Sequence, residues 1–351
     1  MMSIAPFPAL LLAGVCAALF SAAILAVLLA SGWAWRLATD VPNHRSMHQR
    51  PTPRVGGWGV TPAAAVVIVL FAHAAWPLAF GLVSLAVVSF LDDRYDLPAR
   101  YRFAFHLLAA GLLIASPGIG AAQAVAPMPW TWPVPWLAST ALVIAVVWVT
   151  NLYNFMDGAD GLAGGMAVAG FAGYALIAWP AHPDLAVSSV AVAGAALGFL
   201  FFNFPPARLF LGDAGSIPLG FAAAACGYLG WRQGAWSWWL PIVLFAPFFL
   251  DASVTLLRRL ARGEKVWQAH REHYYQRMML MAASRRRVLL CWYALMLASL
   301  ACAWFALRLM PPYGAGLAGL WLLVLIGLGG GVDRAWRRHM ARMRIDESRK
   351  P

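Results

Sequence analysis

Asp92, Asp93 and Asp96 form a D-D-x-x-D pattern immediately after an apolar stretch. Adjacent carboxylates repel one another, and one of them takes up a proton unless a cation lies between them. Mg2+ prefers oxygen ligands and bridges carboxylates to phosphates, so this pattern suits metal-assisted phosphate chemistry. Simple solvation explains it poorly, because the C-terminal end of a helix disfavours negative charge. A second motif, Asn151-Leu-Tyr-Asn-Phe-Met-Asp-Gly-Ala-Asp-Gly-Leu-Ala-Gly-Gly165, places Asn154, Asp157 and Asp160 three apart. On a helix these would share one face, with Gly158 and Gly161 leaving room for a ligand. A third, Phe210-Leu-Gly-Asp-Ala-Gly-Ser216, sets a metal-competent Asp213 among glycines and a serine at a helix start, where backbone N–H groups can meet an anion.

Two cationic stretches complement these acids. The segment Asp40–Gly57 carries two histidines together with Arg50 and Arg54, and ends in a Gly pair where backbone can approach a ligand closely. The segment His270-Arg-Glu-His-Tyr-Tyr-Gln-Arg277 has His270 and His273 three apart. A structural metal would need two more His or Cys nearby, so contact with an anionic or sugar substrate is the better reading. Carboxylates alone repel phosphate, whereas carboxylates with Mg2+ and arginine attract a diphosphate.

The elements that must position these residues are apolar. Of 351 residues, 62% are hydrophobic and 11% charged, against about 45–50% and about 25% in a soluble domain. That excludes a disordered chain, a collagen-like repeat and a secreted disulfide scaffold, and argues against an ordinary soluble enzyme. A membrane-crossing helix needs about 20 apolar residues. Apolar blocks at 7–31, 58–75, 78–91, 103–116, 137–150, 162–179, 185–202, 216–231, 238–256, 288–309 and 314–332 predict an all-α, polytopic membrane protein with about 11 transmembrane helices. Residues 1–335 form the membrane domain and 336–351 a basic tail. The blocks at 78–91 and 137–150 are short for a crossing and need polar flanks to lengthen them. Cys16, Cys226, Cys291 and Cys302 lie in apolar blocks and read as small buried hydrophobes.

Alternating these spans puts 24 of the 26 Lys and Arg on one side, with Arg232 and Arg308 on the other. Of the 14 acids only Asp184 falls on the poor side. The positive-inside rule then places the N-terminus outside and the C-terminus in the cytoplasm. The net charge of +12 reports this topology and not a nucleic-acid partner. No Lys or Arg precedes Arg36, so the first block reads as a retained helix and not a secretory signal. The stretch Ala126–Trp136, rich in Pro and Trp, reads as an interfacial anchor. The motifs all fall on the basic side, at the membrane–cytosol boundary, where a lipid headgroup can meet a water-soluble substrate.

In that order and spacing, FLDDRYDLPARYR, NLYNFMDGADGLAGG, FLGDAGS and HREHYYQR resemble the polyprenyl-phosphate N-acetylhexosamine-1-phosphate transferases, glycosyltransferase family 4, with MraY, WecA/TagO and WbpL-like branches. The resemblance implies transfer of a sugar 1-phosphate from a UDP-N-acetylhexosamine to undecaprenyl phosphate, with release of UMP, at a bacterial plasma membrane. It implies Mg2+, with Mn2+ as an alternative. It implies Asp92, with Asp93 beside it, as the catalytic carboxylate that deprotonates or orients the lipid phosphate, Asp213 as principal metal ligand, and Asn154 and Asp157 around metal and diphosphate. It further implies Gly158, Ala159 and Asp160 as a wall of the uracil pocket and Phe210 stacked on the uracil. Arg50 falls where part of the family has a nucleotide-contacting lysine, and His270, Arg271 and His273 match a histidine motif in the sugar-recognition loop. The motif H-R-E-H-Y departs from the triple-His run of MraY enzymes, which argues against a MurNAc-pentapeptide donor and toward the WbpL-like branch, with GlcNAc, FucNAc or QuiNAc donors and O-antigen initiation. A homodimer is compatible with the resemblance. Two other readings compete: an intramembrane UbiA-type prenyltransferase, which would carry two D-D-x-x-D motifs, and a lipid-linked sugar transporter, which would place polar residues at mid-span.

Overall fold

The computed structural model describes residues 7–42, 50–72, 75–95, 97–116, 135–265, 270–282 and 284–348. Asp96, the histidines at 44 and 48, and all but the last two residues of the Pro/Trp-rich anchor lie outside the described residues.

In hydrocarbon every backbone N–H and C=O must be paired within the chain, and the apolar blocks meet this as helices. In chain order these are α1 (Phe7–Ala30), the short α2 (Trp33–Leu37), α3 (Gly56–Phe71), α4 (Trp76–Tyr95), α5 (Ala99–Ala115), α6 (Pro135–Phe155) and α7 (Leu162–Ala178). Then follow α8 (Pro183–Asn203), α9 (Asp213–Arg232), α10 (Trp239–Leu244), α11 (Ala246–Ala261), α12 (Tyr274–Met281), α13 (Arg285–Arg308) and α14 (Gly314–Ser348). Six of the described helices are long and apolar enough to cross a membrane: α1, α4, α6, α8, α13 and α14. α3 and α7 are shorter and apolar.

Each expected block has a helical counterpart, and the ninth departs from one continuous span. The ninth block is two helices, α10 and α11, broken at Phe245. Pro247 sits in the first turn of α11, where its missing N–H does no harm, whereas inside one continuous helix it would remove a hydrogen bond. The blocks at 78–91 and 137–150 extend to Tyr95 and Phe155, so the polar motif residues themselves supply the added length. α14 runs without interruption through residues 335 and 336 to Ser348.

A two-stranded sheet interrupts the all-α pattern: β1 (Thr39–Asp40) pairs antiparallel with β2 (Thr52–Pro53). This hairpin is stitched to the segment before α9. The Phe210 N–H donates to the Pro53 carbonyl at 2.7 Å, and the Gly56 and Gly57 N–H groups donate to the Phe210 and Leu211 carbonyls at 2.8 and 2.9 Å.

α8 is the centre of one half of the bundle, flanked by α1, α3 and α7; α9 is the centre of the other, flanked by α4 and α6. Small residues let these helices approach closely. A side chain at Gly194 would strike the Gly14 carbonyl, and one at Gly198 the Ala18 carbonyl. Large apolar side chains such as Leu19, Phe201 and Leu323 point outward, as a lipid-facing surface requires.

Candidate active site

The helix ends gather at one end of the bundle around a cavity of about 510 Å³. Four carboxylates, Asp40, Asp157, Asp160 and Asp213, and three guanidinium groups, Arg54, Arg285 and Arg286, line it together with Gly158, Ala159 and Phe210. Residues from five separate stretches thus meet in one place.

Asp213 is the first residue of α9, after Gly212. The Asn154 amide donates to Asp213 Oδ1 at 3.0 Å and to Ser216 Oγ at 2.8 Å. Asn154 therefore orients Asp213, and its own carbonyl oxygen is the atom left for a metal. The N–H groups of Gly215 and Ser216 donate to the Gly212 carbonyl, so these donors do not present themselves to an anion as their position at a helix start suggested.

Asp157 and Asp160 do not continue α6, which ends at Phe155. They sit in the turn before α7, and it is this turn, not a shared helix face, that brings them to the cavity. Asp160 Oδ2 accepts from the Ala207 N–H at 3.1 Å. Asp157 has its pKa pushed up to about 7 by burial and by the charge of Asp213, against the pull of Arg54 and with a further push from Asp160. A cation placed between Asp157 and Asp213 would restore both charges.

Gly158 and Gly161 were expected to clear space for a ligand. Their space is taken by protein instead. A Cβ at Gly158 would run into the Tyr275 hydroxyl, and one at Gly161, where φ is +77°, into Leu289. The same correction applies to Gly56 and Gly57: a Cβ at Gly57 would strike the backbone of Ala214 and Gly215. The glycine pair admits the backbone at the start of α9 and not a ligand.

Asp92 and Asp93, near the end of α4, are each held by an arginine. Arg102 Nη1 donates to Asp92 Oδ2 at 2.8 Å, and Arg54 Nη2 to Asp93 Oδ1 at 2.9 Å. Arg54, which lines the cavity, links Asp93 to its wall. Asp93 also feels the charges of Asp213 and Asp92, which joins the α4 pair electrostatically to the cavity acids.

Seven expected site residues are not among those lining the cavity: Asp92, Asp93, Asn154 and four substrate contacts. Arg50 is exposed, and Arg54 takes the inner position. His270, Arg271 and His273 are likewise absent from the lining. His273 is buried, caps α12, and sets Nδ1 3.1 Å from Asp251 Oδ1. The Tyr274 and Tyr275 N–H groups donate to the same carboxylate at 2.9 and 3.0 Å. His270 has its pKa lowered to about 4 by burial and by the neighbouring His273 and Arg259, so it is neutral near pH 7 and supplies no cation for a phosphate. The histidine motif builds a helix, and that helix sends Gln276 and Met279 into the cavity.

Sequence reading named Arg54 only within a cationic stretch and passed over Asp251, Arg285 and Arg286 as site residues. Arg285 and Arg286 open α13, where the helix dipole disfavours cations; that conflict was a legible sign of a task for them. Asp251, a lone acid in an apolar block, was another.

A divalent cation fits this set in one way. The described residues hold no group of three His, Cys, Asp or Glu able to bind a metal alone. Mg2+ in phosphate-handling sites is held by one or two carboxylates, the substrate's phosphates and water, and Asp213 with Asp157 matches that pattern.

Fold and site together define a helical membrane protein with a cavity lined by carboxylates and guanidinium groups at one end of its bundle. The chain belongs to glycosyl transferase family 4, whose family model matches residues 75–230. It is 30% identical over 244 residues to a probable undecaprenyl-phosphate N-acetylglucosaminyl 1-phosphate transferase of Bacillus subtilis, covering 67% of this chain and 68% of that one. It is 29% identical over 319 residues to a phospho-N-acetylmuramoyl-pentapeptide-transferase of Kocuria rhizophila (72% and 82%). It is 30% identical over 269 residues to a decaprenyl-phosphate N-acetylglucosaminephosphotransferase of Mycolicibacterium smegmatis (66% and 64%).

Proposed function

We propose that this protein transfers an N-acetylhexosamine 1-phosphate from a UDP-sugar to undecaprenyl phosphate at the cytoplasmic face of a bacterial plasma membrane, giving undecaprenyl-diphospho-sugar and UMP and initiating an O-antigen or related envelope polysaccharide. The observation that carries the reading is the mixed acidic and cationic cavity at the end of an apolar helix bundle. A water-soluble nucleotide diphosphate fits the cavity's chemistry, and a polyprenyl chain fits the lipid-facing helices. An apolar groove of about 400 Å³ between α5, α6 and α11 supports the second half. The names of the relatives support the same reaction class.

The donor is held by the chain's own groups. Phe210 offers a ring for the base, with Gly158, Ala159 and Asp160 beside it. Arg54, Arg285 and Arg286 face the diphosphate. Asp213 and Asp157 would hold Mg2+, which when bound supplies neutralising charge for the diphosphate. The reaction exchanges one phosphoanhydride for another, so the protein's task is to position two anions and offset their repulsion. The family assignment leaves the prenyltransferase and transporter readings without support. Incubation with undecaprenyl phosphate and a panel of UDP-N-acetylhexosamines should release UMP with at least one donor. Absence of UMP with every donor, or release of inorganic diphosphate in its place, would overturn the proposal.

A further inference from the structure

α14 is the least enclosed of the six membrane-length helices described. Its apolar run, residues 314–332, is about 28 Å long at 1.5 Å per residue, close to the roughly 30 Å of a hydrocarbon core. The helix then continues to Ser348. One side packs on the protein: Gly314, Ala318 and Leu325 are buried, and Asp333 is bound by Arg258 and Arg277. These ion pairs fix how the helix is turned about its axis where it leaves the bilayer. The opposite side is exposed along its length, through Leu320, Leu323, Gly327 and Gly331 and on to Arg334 and Arg338, at spacings of three and four residues. Arg337 is exposed too and stands about 60° from Arg334. The stripe that meets acyl chains therefore runs into three arginines. They begin about 3 Å and end about 9 Å past the apolar run, the depth of a leaflet's headgroup layer.

Two ordinary explanations fail. A helix dipole favours cations only within the last turn, and Arg338 lies more than two turns before Ser348. The positive-inside preference is met by arginines on any side of a segment and does not gather them on the lipid-facing one. Within the helix the three repel one another. Arg334 lies three and four residues from Arg337 and Arg338, spacings at which like charges destabilise a helix. Arg258, Arg259, Arg262 and Arg277 all have carboxylate partners. Among the described residues Arg334, Arg337 and Arg338 have no ion pair, so the charge that relieves them comes from outside the chain.

We propose that Arg334, Arg337 and Arg338 form a binding site for the headgroup phosphates of anionic phospholipids in the leaflet at this end of the bundle. A guanidinium presents a planar fork of N–H donors that meets phosphate oxygens bidentately. A zwitterionic headgroup brings its own ammonium to compete for the phosphate, whereas an anionic one cancels the repulsion among the arginines. Anionic leaflets attract basic segments beside a membrane helix, and the attraction fades within a Debye length. Arg342, about 15 Å past the apolar run, lies beyond the headgroups and outside the site. A second copy of this chain would bring the same positive charge to the face and does not fit it. The donor cavity is lined by other elements, so the site stands apart from the transfer reaction.

The test is lipid retention by the purified full chain. Wild type and the triple variant Arg334→Gln/Arg337→Gln/Arg338→Gln are extracted from bilayers of equal phosphatidylglycerol and phosphatidylcholine, and the lipid each keeps is counted by native mass spectrometry. The wild type should keep phosphatidylglycerol preferentially, and the triple variant at least about fivefold less of it, with phosphatidylcholine unchanged. Replacing the same three by lysine should give an intermediate value, since the charge stays and the fork is lost. Arg342→Gln should match the wild type, as should a triple glutamine replacement of the exposed Arg36, Arg94 and Arg100. Adding phosphatidylglycerol to protein in phosphatidylcholine should raise the Tm of the wild type and not that of the triple variant, while equal Tm values before the addition report an intact fold. Equal retention by wild type and triple variant would overturn the proposal and leave the face to a soluble acidic partner. An equal loss in either control would also overturn it, by reducing the effect to general membrane charge. Should the triple variant not fold, Arg338→Gln alone must still lower retention, and an unchanged value there overturns the site.

Discussion

At the scale of single residues, the absent side chains of Gly57, Gly158 and Gly161 make room for other parts of the protein. Gly158 makes room for the Tyr275 hydroxyl, which couples the Asp157 turn to α12. Gly158→Ala should lower thermal stability by about 1–3 kcal/mol, as overpacking does, and reduce turnover. Tyr275→Phe, which removes the obstructing oxygen, should restore much of both; thermal unfolding and UMP release on the single and double variants check this, and failure of the second change to rescue the first would contradict the coupling. Gly57→Ala meets backbone of Ala214 and Gly215, which cannot retreat, so no single side-chain change should rescue it. Asp157, Asp160 and Asp213 were legible as site residues from their motifs, and Phe210 through the resemblance, because short loops bring whole motifs along. What those glycines contact was not legible, since the partner lies more than 100 residues away in sequence.

At the scale of elements, α12 is held from behind by Asp251. Its carboxylate receives two backbone N–H groups and lies beside His273 Nδ1, satisfying donors that the helix start leaves without partners. Asp251→Asn should loosen α12 and raise the donor KM severalfold, since Gln276 and Met279 line the donor cavity, while leaving the acceptor KM unchanged; kinetics with each substrate varied in turn would show it. The loop before α12 is tied by Glu272 to Arg259 and Arg262. Burial pushes the Glu272 carboxyl up, but hydrogen bonds and charge from Arg262 and Arg259 outweigh it, so its pKa lies below the usual glutamate range. Such a group stabilises the fold at pH above its ordinary value and ceases to as the pH falls. His270, lowered to about 4, acts in the same sense, because the unfolded chain takes up its proton first. Amide protection in residues 258–265 and 270–277 should therefore fall between about pH 7.5 and about pH 4.5; constant protection would contradict it. The histidine motif was visible as a motif, but its spacing could not tell a helix cap from a substrate contact. The break at Phe245 was hidden because an apolar block with proline reads the same whether the chain bends or runs on.

At the scale of the whole molecule, a bundle whose helices cross by way of small residues presents one chemically active end. The uneven charge distribution predicts that this end is cytoplasmic. On a cysteine-free background, Ala181→Cys should react with an impermeant maleimide in intact cells and Arg337→Cys only after permeabilisation; the reverse pattern would invert the topology. The lengths of α4 and α6 show why the membrane segments were legible and their ends were not: hydropathy marks what sits in lipid, whereas the motif residues continue the helices beyond it. The convergence of Asp93, Asp157 and Asp213 through Arg54 and mutual charge is the physical basis for everything attributed to the site. Its most direct test is Mg2+-dependent UMP release by the wild type and by Asp213→Ala, each confirmed as membrane-inserted and monodisperse. The wild type should release UMP only with the divalent cation present, and Asp213→Ala should release none at any Mg2+ concentration; full activity in that variant, or wild-type release undiminished by EDTA, would contradict it.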